Sequence, residues 1–215
     1  MRKKSPFGGP ASPPLPLPPP DLNCRKLPLV SSGSSAWFRI YRNDLPRPKA
    51  KYFGRSGTNR FDALKNDFGV LYVASSIHCS FVEVWLRCPN PRNAALIIDR
   101  AELAIRSIAQ FKLNATLKLV DLTGFGLGRL GLDAAIIATR KYKITGVWSS
   151  AFHAHPSRPD GILYSSRLNP GLRCIALFER AAAKIDLVRD ERLDGKAGRR
   201  MIAPSFKHFD VGLVP

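Results

Sequence analysis

Short apolar runs separated by polar breaks set the rhythm of this chain, and their spacing predicts a mixed fold. Val70 to Ala74 reads Val-Leu-Tyr-Val-Ala, an unbroken apolar run of strand length, as expected of a strand covered on both faces. Comparable runs predict strands near 37–42, 95–98, 103–108, 117–121, 161–165 and 173–178. Longer stretches with helical spacing predict helices near 76–87, 130–141 and 144–154. The strands come in runs and not in strict alternation with helices, which favours an α+β sheet over a parallel doubly wound one.

The ends of the chain break this rhythm. Residues 1–35 hold nine of the 18 prolines, with the run Pro13-Pro14-Leu15-Pro16-Leu17-Pro18-Pro19-Pro20, followed by Ser31-Ser32-Gly33-Ser34-Ser35. Such a composition predicts a disordered or polyproline II leader, with folding beginning near Trp37. Residues 36–180 form the expected domain. From 181 to 215 charges mix with Gly195-Lys196-Ala197-Gly198, predicting loose order up to Met201, with Phe206 and Phe209 docking back.

At 215 residues and 45% hydrophobic content, the chain is long enough for one domain with a full core. No apolar stretch approaches membrane-spanning length, and Met1-Arg2-Lys3-Lys4 is followed by prolines and not by the apolar region of a signal peptide. The cysteines, Cys24, Cys79, Cys88 and Cys174, form no closely spaced pair, which argues against zinc and against a disulfide framework and fits a reducing cytoplasm. The net charge of +18 favours anionic partners and non-specific nucleic-acid binding. No zinc-finger, RRM or basic-zipper pattern accompanies it, and a basic nucleic-acid-binding or interaction module without chemistry of its own stands as an alternative reading.

One acid stands out. Glu83 sits on the helix predicted to follow the Val70–Ala74 strand, among Phe81, Val82, Val84, Trp85 and Leu86. A carboxylate in such company is paired, hydrogen-bonded or used. The plain alternative is a surface ion pair with Arg87, four residues on.

Several segments share a pattern with this one. Trp37-Phe38-Arg39-Ile40-Tyr41-Arg42 and Asn59-Arg60-Phe61 precede it, and Asp160-Gly161-Ile162-Leu163-Tyr164-Ser165-Ser166-Arg167 lies far behind it. In this order, over about residues 36–180, they resemble the RES domain family, named for its arginine, glutamate and serine. Two departures are visible: Asn59-Arg60-Phe61 stands where the family has Gly-Arg-Trp, and the alanine expected before the glutamate is replaced around Ser80.

The resemblance implies an ADP-ribosyltransferase-like single domain, with a mostly antiparallel, split sheet flanked by helices. It also implies an enzyme that degrades NAD as the toxin of a toxin–antitoxin pair, its partner a small helix-turn-helix antitoxin occluding the NAD cleft. NAD is then a substrate, and no cofactor is expected. The residue types suit that chemistry. Cleaving the nicotinamide–ribose bond develops oxocarbenium character, for which Glu83 is the candidate stabiliser. Arg39, and after it Arg60, offer paired donors to the pyrophosphate. Tyr72 offers a stacking face, and Ser166 a hydroxyl that orients the ribose or the glutamate.

Two other motifs compete. Gly126-Leu127-Gly128-Arg129-Leu130-Gly131 between a strand and an apolar helix is a literal G-x-G-x-x-G, the dinucleotide fingerprint of an oxidoreductase. Against it, no acid occurs across Gly146 to His153, and flanking β-α-β alternation is not expected, so a glycine-rich connection is preferred. His153 and His155, with Asp160, suggest a metal but complete no ligand set. A Ser-His-Asp hydrolase has still less support, since the sequence contains no G-x-S-x-G elbow.

Overall fold

The computed structural model describes residues 15–32, 36–45, 49–86 and 96–215. Its elements, in chain order, are β1 (Leu29–Ser32), β2 (Ala36–Arg42), β3 (Val70–Ala74), α1 (Ile77–Trp85), β4 (Leu96–Asp99), α2 (Arg100–Ala104), β5 (Arg106–Leu113), β6 (Leu117–Leu122), α3 (Gly124–Arg129), α4 (Ala135–Ala138), α5 (Tyr142–Ala154), β7 (Gly161–Ser165), β8 (Arg173–Phe178), β9 (Ile185–Arg192), α6 (Lys196–His208) and β10 (Val211–Val214).

Eight strands form one sheet in the order β1-β6-β7-β8-β3-β2-β5-β9, and β10 pairs with β4 in a small second sheet. All pairs in the large sheet are antiparallel except β6 with β7. The mixed α+β, mostly antiparallel architecture expected from the sequence is therefore present.

The central strands explain the apolar runs. On β3, Val70 and Ala74 enter one core with Tyr72 packed against it, while Leu71 and Val73 enter another. Its neighbour β8 divides the same way, with Cys174, Ala176 and Phe178 against Ile175 and Leu177. Side chains of a strand alternate between faces, so two covered faces demand an apolar residue at nearly every position. The first core is roofed by Trp148 and Phe152 of α5. A third cluster, around Ile40, Phe81, Ile98, Leu103 and Ile202, sits where α6 packs on α1.

The sheet opens between β2 and β3. These strands share a single paired register, Phe38 with Ala74, whereas β2 follows β5 continuously from Ala36 through Arg42. Beyond Phe38 the two strands diverge and leave a gap that side chains line but do not fill. Helix α1 leaves β3 beside this gap, its N-terminus capped by Ser76, whose Oγ accepts from the Cys79 N–H at 3.0 Å.

Several expectations are corrected. The strand expected at 103–108 begins later, because Asp99 caps α2 through the Ala101 N–H at 2.7 Å and Glu102 pairs with Arg106 at 2.5 Å. The helix expected at 130–141 is cut down to the short α4, and before it Gly131, at a positive φ of 68°, separates it from α3. The region expected to be loose before Met201 contains the edge strand β9 and the start of α6. Phe209, whose docking the sequence suggested, stacks on Phe81 with ring centroids 5.2 Å apart, and Phe206 meets the same ring edge-on.

The leader is also corrected from residue 15 onward. The Trp148 indole N–H donates to the Pro16 carbonyl at 2.8 Å, Leu22 and Leu27 are buried, and β1 pairs with β6. The proline run supplies an acceptor and a rigid path across α5, so part of it belongs to the fold. Residues 1–14 lie outside the described residues.

Candidate functional site

The gap between β2 and β3 is a cleft of about 370 Å³. Arg39, Arg60, Tyr72 and Glu83 all line it, and Ser166 reaches it by donating from Oγ to Glu83 Oε1 at 2.6 Å. Five side chains drawn from five separate segments thus converge on one place.

Glu83 projects from the second turn of α1, where the helix faces the open end of β3. Its partner Ser166 follows β7 and is almost wholly buried at 1% exposure. The Ser166 Oγ also accepts from the backbone N–H groups of Leu168 at 3.3 Å and Asn169 at 3.4 Å, which fixes its rotamer. The carboxylate is thereby aimed by a hydroxyl that the turn holds in place. Arg87, the surface partner considered for Glu83, lies outside the described residues.

Arg39 lies on β2 and donates from Nη1 to the carbonyls of Ala50 at 3.0 Å and Tyr52 at 3.1 Å, with its guanidinium over the Tyr41 ring at 5.6 Å. Burial pulls its pKa down to about 10, opposed by Tyr41 and Asp190, so it carries full charge at neutral pH. Across the cleft, Arg60 donates to the Thr139 carbonyl at 2.6 Å and lies over the Tyr142 ring at 5.3 Å. Burial lowers its pKa as well, with Tyr142, Tyr164 and Glu83 acting the other way.

The Tyr72 hydroxyl is engaged inside the protein, which leaves the ring as the part of this side chain available to a ligand. The OH donates to Asp62 Oδ1 at 3.0 Å and accepts from the Phe61 N–H at 2.8 Å. Burial first, and then the Asp62 charge, push its pKa well above the ordinary phenol range. What Tyr72 presents to the cleft is its ring.

Sequence reasoning missed several lining residues. Arg42, Tyr142, Tyr164 and Arg167 face the same cleft. Tyr164 and Arg167 stand in the segment that carries Ser166, so the alternation of a strand end signals them. Tyr142 has no local signal, since it opens α5 and reaches the cleft only through the tertiary fold.

A model of the RES domain matches residues 36–196, three-quarters of the chain. The chain belongs to the RES domain family. Asn59 and Ser80, where the sequence departs from the family's motifs, both line the cleft. The chain is 37% identical over 90 residues to "Probable toxin y4kH" of Sinorhizobium fredii (strain NBRC 101917 / NGR234), covering 42% of this chain and 70% of that protein. Its structure is similar to a chain in the crystal structure of the M. tuberculosis MbcT-MbcA toxin-antitoxin complex. There the TM-score is 0.56 at 15% identity, over 80% of this chain and 90% of the other. The mixed, mostly antiparallel α+β fold expected for a RES domain is accordingly the fold observed.

The competing motifs have structural explanations. The glycine segment forms α3 itself instead of a loop before a helix, and none of Gly126, Gly128 and Gly131 lines the cleft. A Cβ on Gly126 would collide with the Asp121 carbonyl, so that glycine serves close packing. A parallel β6–β7 pair does flank the segment, contrary to expectation, through the crossover that contains α3, α4 and α5.

His153 stacks on Phe68 at 3.9 Å, and His155 is bonded to Ser157 Oγ at 2.8 Å and the Arg25 carbonyl at 3.2 Å. Asp160 binds the Lys118 N–H at 2.7 Å and Lys184 Nζ at 2.8 Å. Among the described residues, no group of three or more His, Cys, Asp or Glu is arranged to hold a metal. Among them, too, no helix is long and apolar enough to cross a membrane.

Proposed function

We propose that this RES domain degrades NAD by cleaving the bond between nicotinamide and ribose, and that it acts as a toxin neutralised by an antitoxin. The observation that carries the reading is Glu83, held by Ser166 at 2.6 Å in a cleft whose other charged lining residues are Arg39, Arg42, Arg60 and Arg167. One fixed carboxylate among guanidinium groups suits a substrate that combines a cationic ring, a ribose and a pyrophosphate. The cleft volume, about 370 Å³, falls at the lower end of small-molecule sites.

The chemistry follows from those charges. As the glycosidic C–N bond breaks, its electron pair passes to the nicotinamide nitrogen and neutralises the ring. Positive charge moves to the ribose C1′ and ring oxygen, where the Glu83 carboxylate lowers its energy. Water, phosphate or a side chain of a target protein then attacks C1′. Arg39 and Arg60 hold the pyrophosphate, and the rings of Tyr72 and Tyr164 bound the space left for the nicotinamide or ribose. NAD is substrate in this reading, and no cofactor takes part.

The toxin reading draws on the two similar proteins, whose names are those of a probable toxin and of a toxin-antitoxin complex. The antitoxin is proposed to be a small helix-turn-helix protein that covers the cleft, and the site of action the cytoplasm, where NAD is available. The charge of +18 adds non-specific nucleic-acid binding that weakens steeply with salt.

NAD consumption by purified wild type and Glu83→Gln, with and without phosphate, tests the activity. Rapid loss of NAD that disappears in the variant is expected, and its dependence on phosphate names the acceptor. A folded wild type that leaves NAD intact under all these conditions rejects the reading. Co-expression with the product of a neighbouring small reading frame tests the antitoxin, with restored growth as the expected result.

A further inference from the structure

The turn that carries Arg60 is clamped from two sides. On the inner side Asp62, 3% exposed, gathers hydrogen bonds from across the turn. Its Oδ2 accepts from Ser56 Oγ at 2.7 Å, from the Asn59 backbone N–H at 3.1 Å and from the Asn59 side-chain amide at 3.1 Å. Its Oδ1 accepts from the Tyr72 hydroxyl at 3.0 Å, and that hydroxyl in turn accepts the Phe61 N–H. Strand β3 is thus tied to the Arg60 turn through one carboxylate and one phenol.

On the outer side, α5 presents two hydroxyls one helical turn apart, both fully buried. Thr145 Oγ1 donates to the Arg60 carbonyl, and Ser149 Oγ donates to the Phe61 carbonyl at 2.7 Å. Between them Gly146 lets the helix come close, since a Cβ there would stand 3.1 Å from the Asp62 carbonyl and 2.9 Å from the Leu64 side chain. The N-terminal residue of the same helix, Tyr142, lies under the Arg60 guanidinium. Backbone and side chain of Arg60 are therefore set by one rigid unit.

A buried carboxylate carries a desolvation cost that only a full set of donors offsets. Among the described residues every donor to Asp62 belongs to the Arg60 turn or to Tyr72, and Asp62 itself does not line the cleft. The same carboxylate that closes the turn therefore also joins it to a strand that lines the cleft.

We propose that Asp62 is the positioning residue of the site, holding Arg60 and the Tyr72 ring where they meet a phosphoryl-bearing ligand, with the Tyr72 hydroxyl serving this link and not the substrate. The inference rests on the role given to Arg60 in the reading above. It extends that reading from the groups that touch the ligand to the group that aims them.

The test uses the full chain with two readouts: calorimetric binding of inorganic pyrophosphate, and KM and kcat for NAD. Asp62→Asn keeps the size of the side chain but turns an N–H toward at least one of the donors. Pyrophosphate affinity is expected to fall by about tenfold or more, and KM for NAD to rise similarly while kcat changes within about threefold, as for lost ground-state binding. Tyr72→Phe should shift both readouts in the same direction by a smaller factor. The double variant should be no worse than Asp62→Asn, because both changes break one link.

Wild-type pyrophosphate affinity and KM retained in Asp62→Asn, with only the melting temperature lowered, would overturn the proposal. So would additive effects in the double variant, which would mean that the Tyr72 hydroxyl contacts substrate directly. Should Asp62→Asn fail to fold, Tyr72→Phe decides alone, and unchanged pyrophosphate binding in it overturns the link. A wild type that binds pyrophosphate in this Asp62-dependent way yet leaves NAD intact defeats the NAD reading and leaves the positioning role standing.

Discussion

Ser166 donates a 2.6 Å hydrogen bond to Glu83 across 83 residues of sequence, and this contact joins the strand-end turn after β7 to the helix that follows β3. A charge-assisted bond of this length fixes the carboxylate without neutralising it. Glu83→Gln keeps the shape and removes the charge, so kcat for NAD should fall by about 10²–10³-fold, the usual loss when a preorganised electrostatic group is removed. Ser166→Ala leaves the charge but frees its rotamer, with an expected loss of about tenfold. Circular dichroism should show both variants folded, and an NAD-consumption assay measures the two losses. Equal losses would mean that Ser166 does more than orient Glu83.

Arg39 tests the preference for a planar cation. Among the described residues its hydrogen bonds run from Nη1 to the Ala50 and Tyr52 carbonyls, which leaves the rest of the fork for ligand. Lysine has one nitrogen and cannot do both. Arg39→Lys should therefore raise KM for NAD by about tenfold while preserving charge, with kcat less affected. A KM equal to wild type would show that only the charge matters there.

The glycines of α3 separate packing from dinucleotide binding. Gly126 abuts Asp121, whereas a Cβ on Gly128 meets nothing within 4 Å. Gly126→Ala should destabilise by about 1–3 kcal/mol through overpacking. Gly128→Ala should be neutral or stabilising by up to about 1 kcal/mol, because it removes a flexible residue from a helix. Urea titrations measure both, and NAD consumption should be unchanged in Gly128→Ala.

What the sequence made legible follows from how local each signal is. Val70–Ala74 was readable because burial on both faces writes itself into every residue of the strand. The grouping of Arg39, Arg60, Tyr72, Glu83 and Ser166 was readable only through the order of several motifs, since nothing local brings Ser166 to Glu83. The divergence of β2 from β3 is a property of pairing between distant segments and leaves no mark on either strand alone. Helix α6 was hidden because Lys196, Arg199, Arg200 and Lys207 dilute the apolar stripe of Ile202 and Phe206 that faces the core. Asp62 carries no sequence signal because a carboxylate in a turn is ordinary, and its partner Tyr72 lies on a strand ten residues on.

The leader gives a stability prediction. Leu22 and Leu27 are buried, and β1 covers the edge of β6. Removing residues 1–35 would strip away both leucines, the acceptor of the Trp148 indole and the strand that pairs with β6. At about 1.5–3 kcal/mol for each buried leucine, the loss should reach roughly 3 kcal/mol or more. Chemical denaturation of the truncated chain measures it. A midpoint matching the full chain would show that these contacts add nothing to stability.

His153 supplies a pH dependence that does not involve the cleft. Its imidazole stacks on Phe68, meets Phe178 edge-on, and is held down to a pKa of about 4 by burial first and by Arg180 second. The unfolded chain titrates this group near its ordinary value of about 6.5. Between these values the unfolded state binds the extra proton and the folded state does not, so stability falls as pH drops from about 6.5 to about 4 and levels off below. Discounted for partial solvent access, the loss from this group is roughly 2 kcal/mol. His153→Phe keeps a ring on Phe68 and removes the titration, and the Arg180 bond is to the residue 153 backbone carbonyl, which the change leaves in place. Denaturation midpoints at pH 7 and pH 4.5 should therefore differ less in His153→Phe than in wild type. An equal acid loss in both proteins would assign the pH sensitivity to other groups.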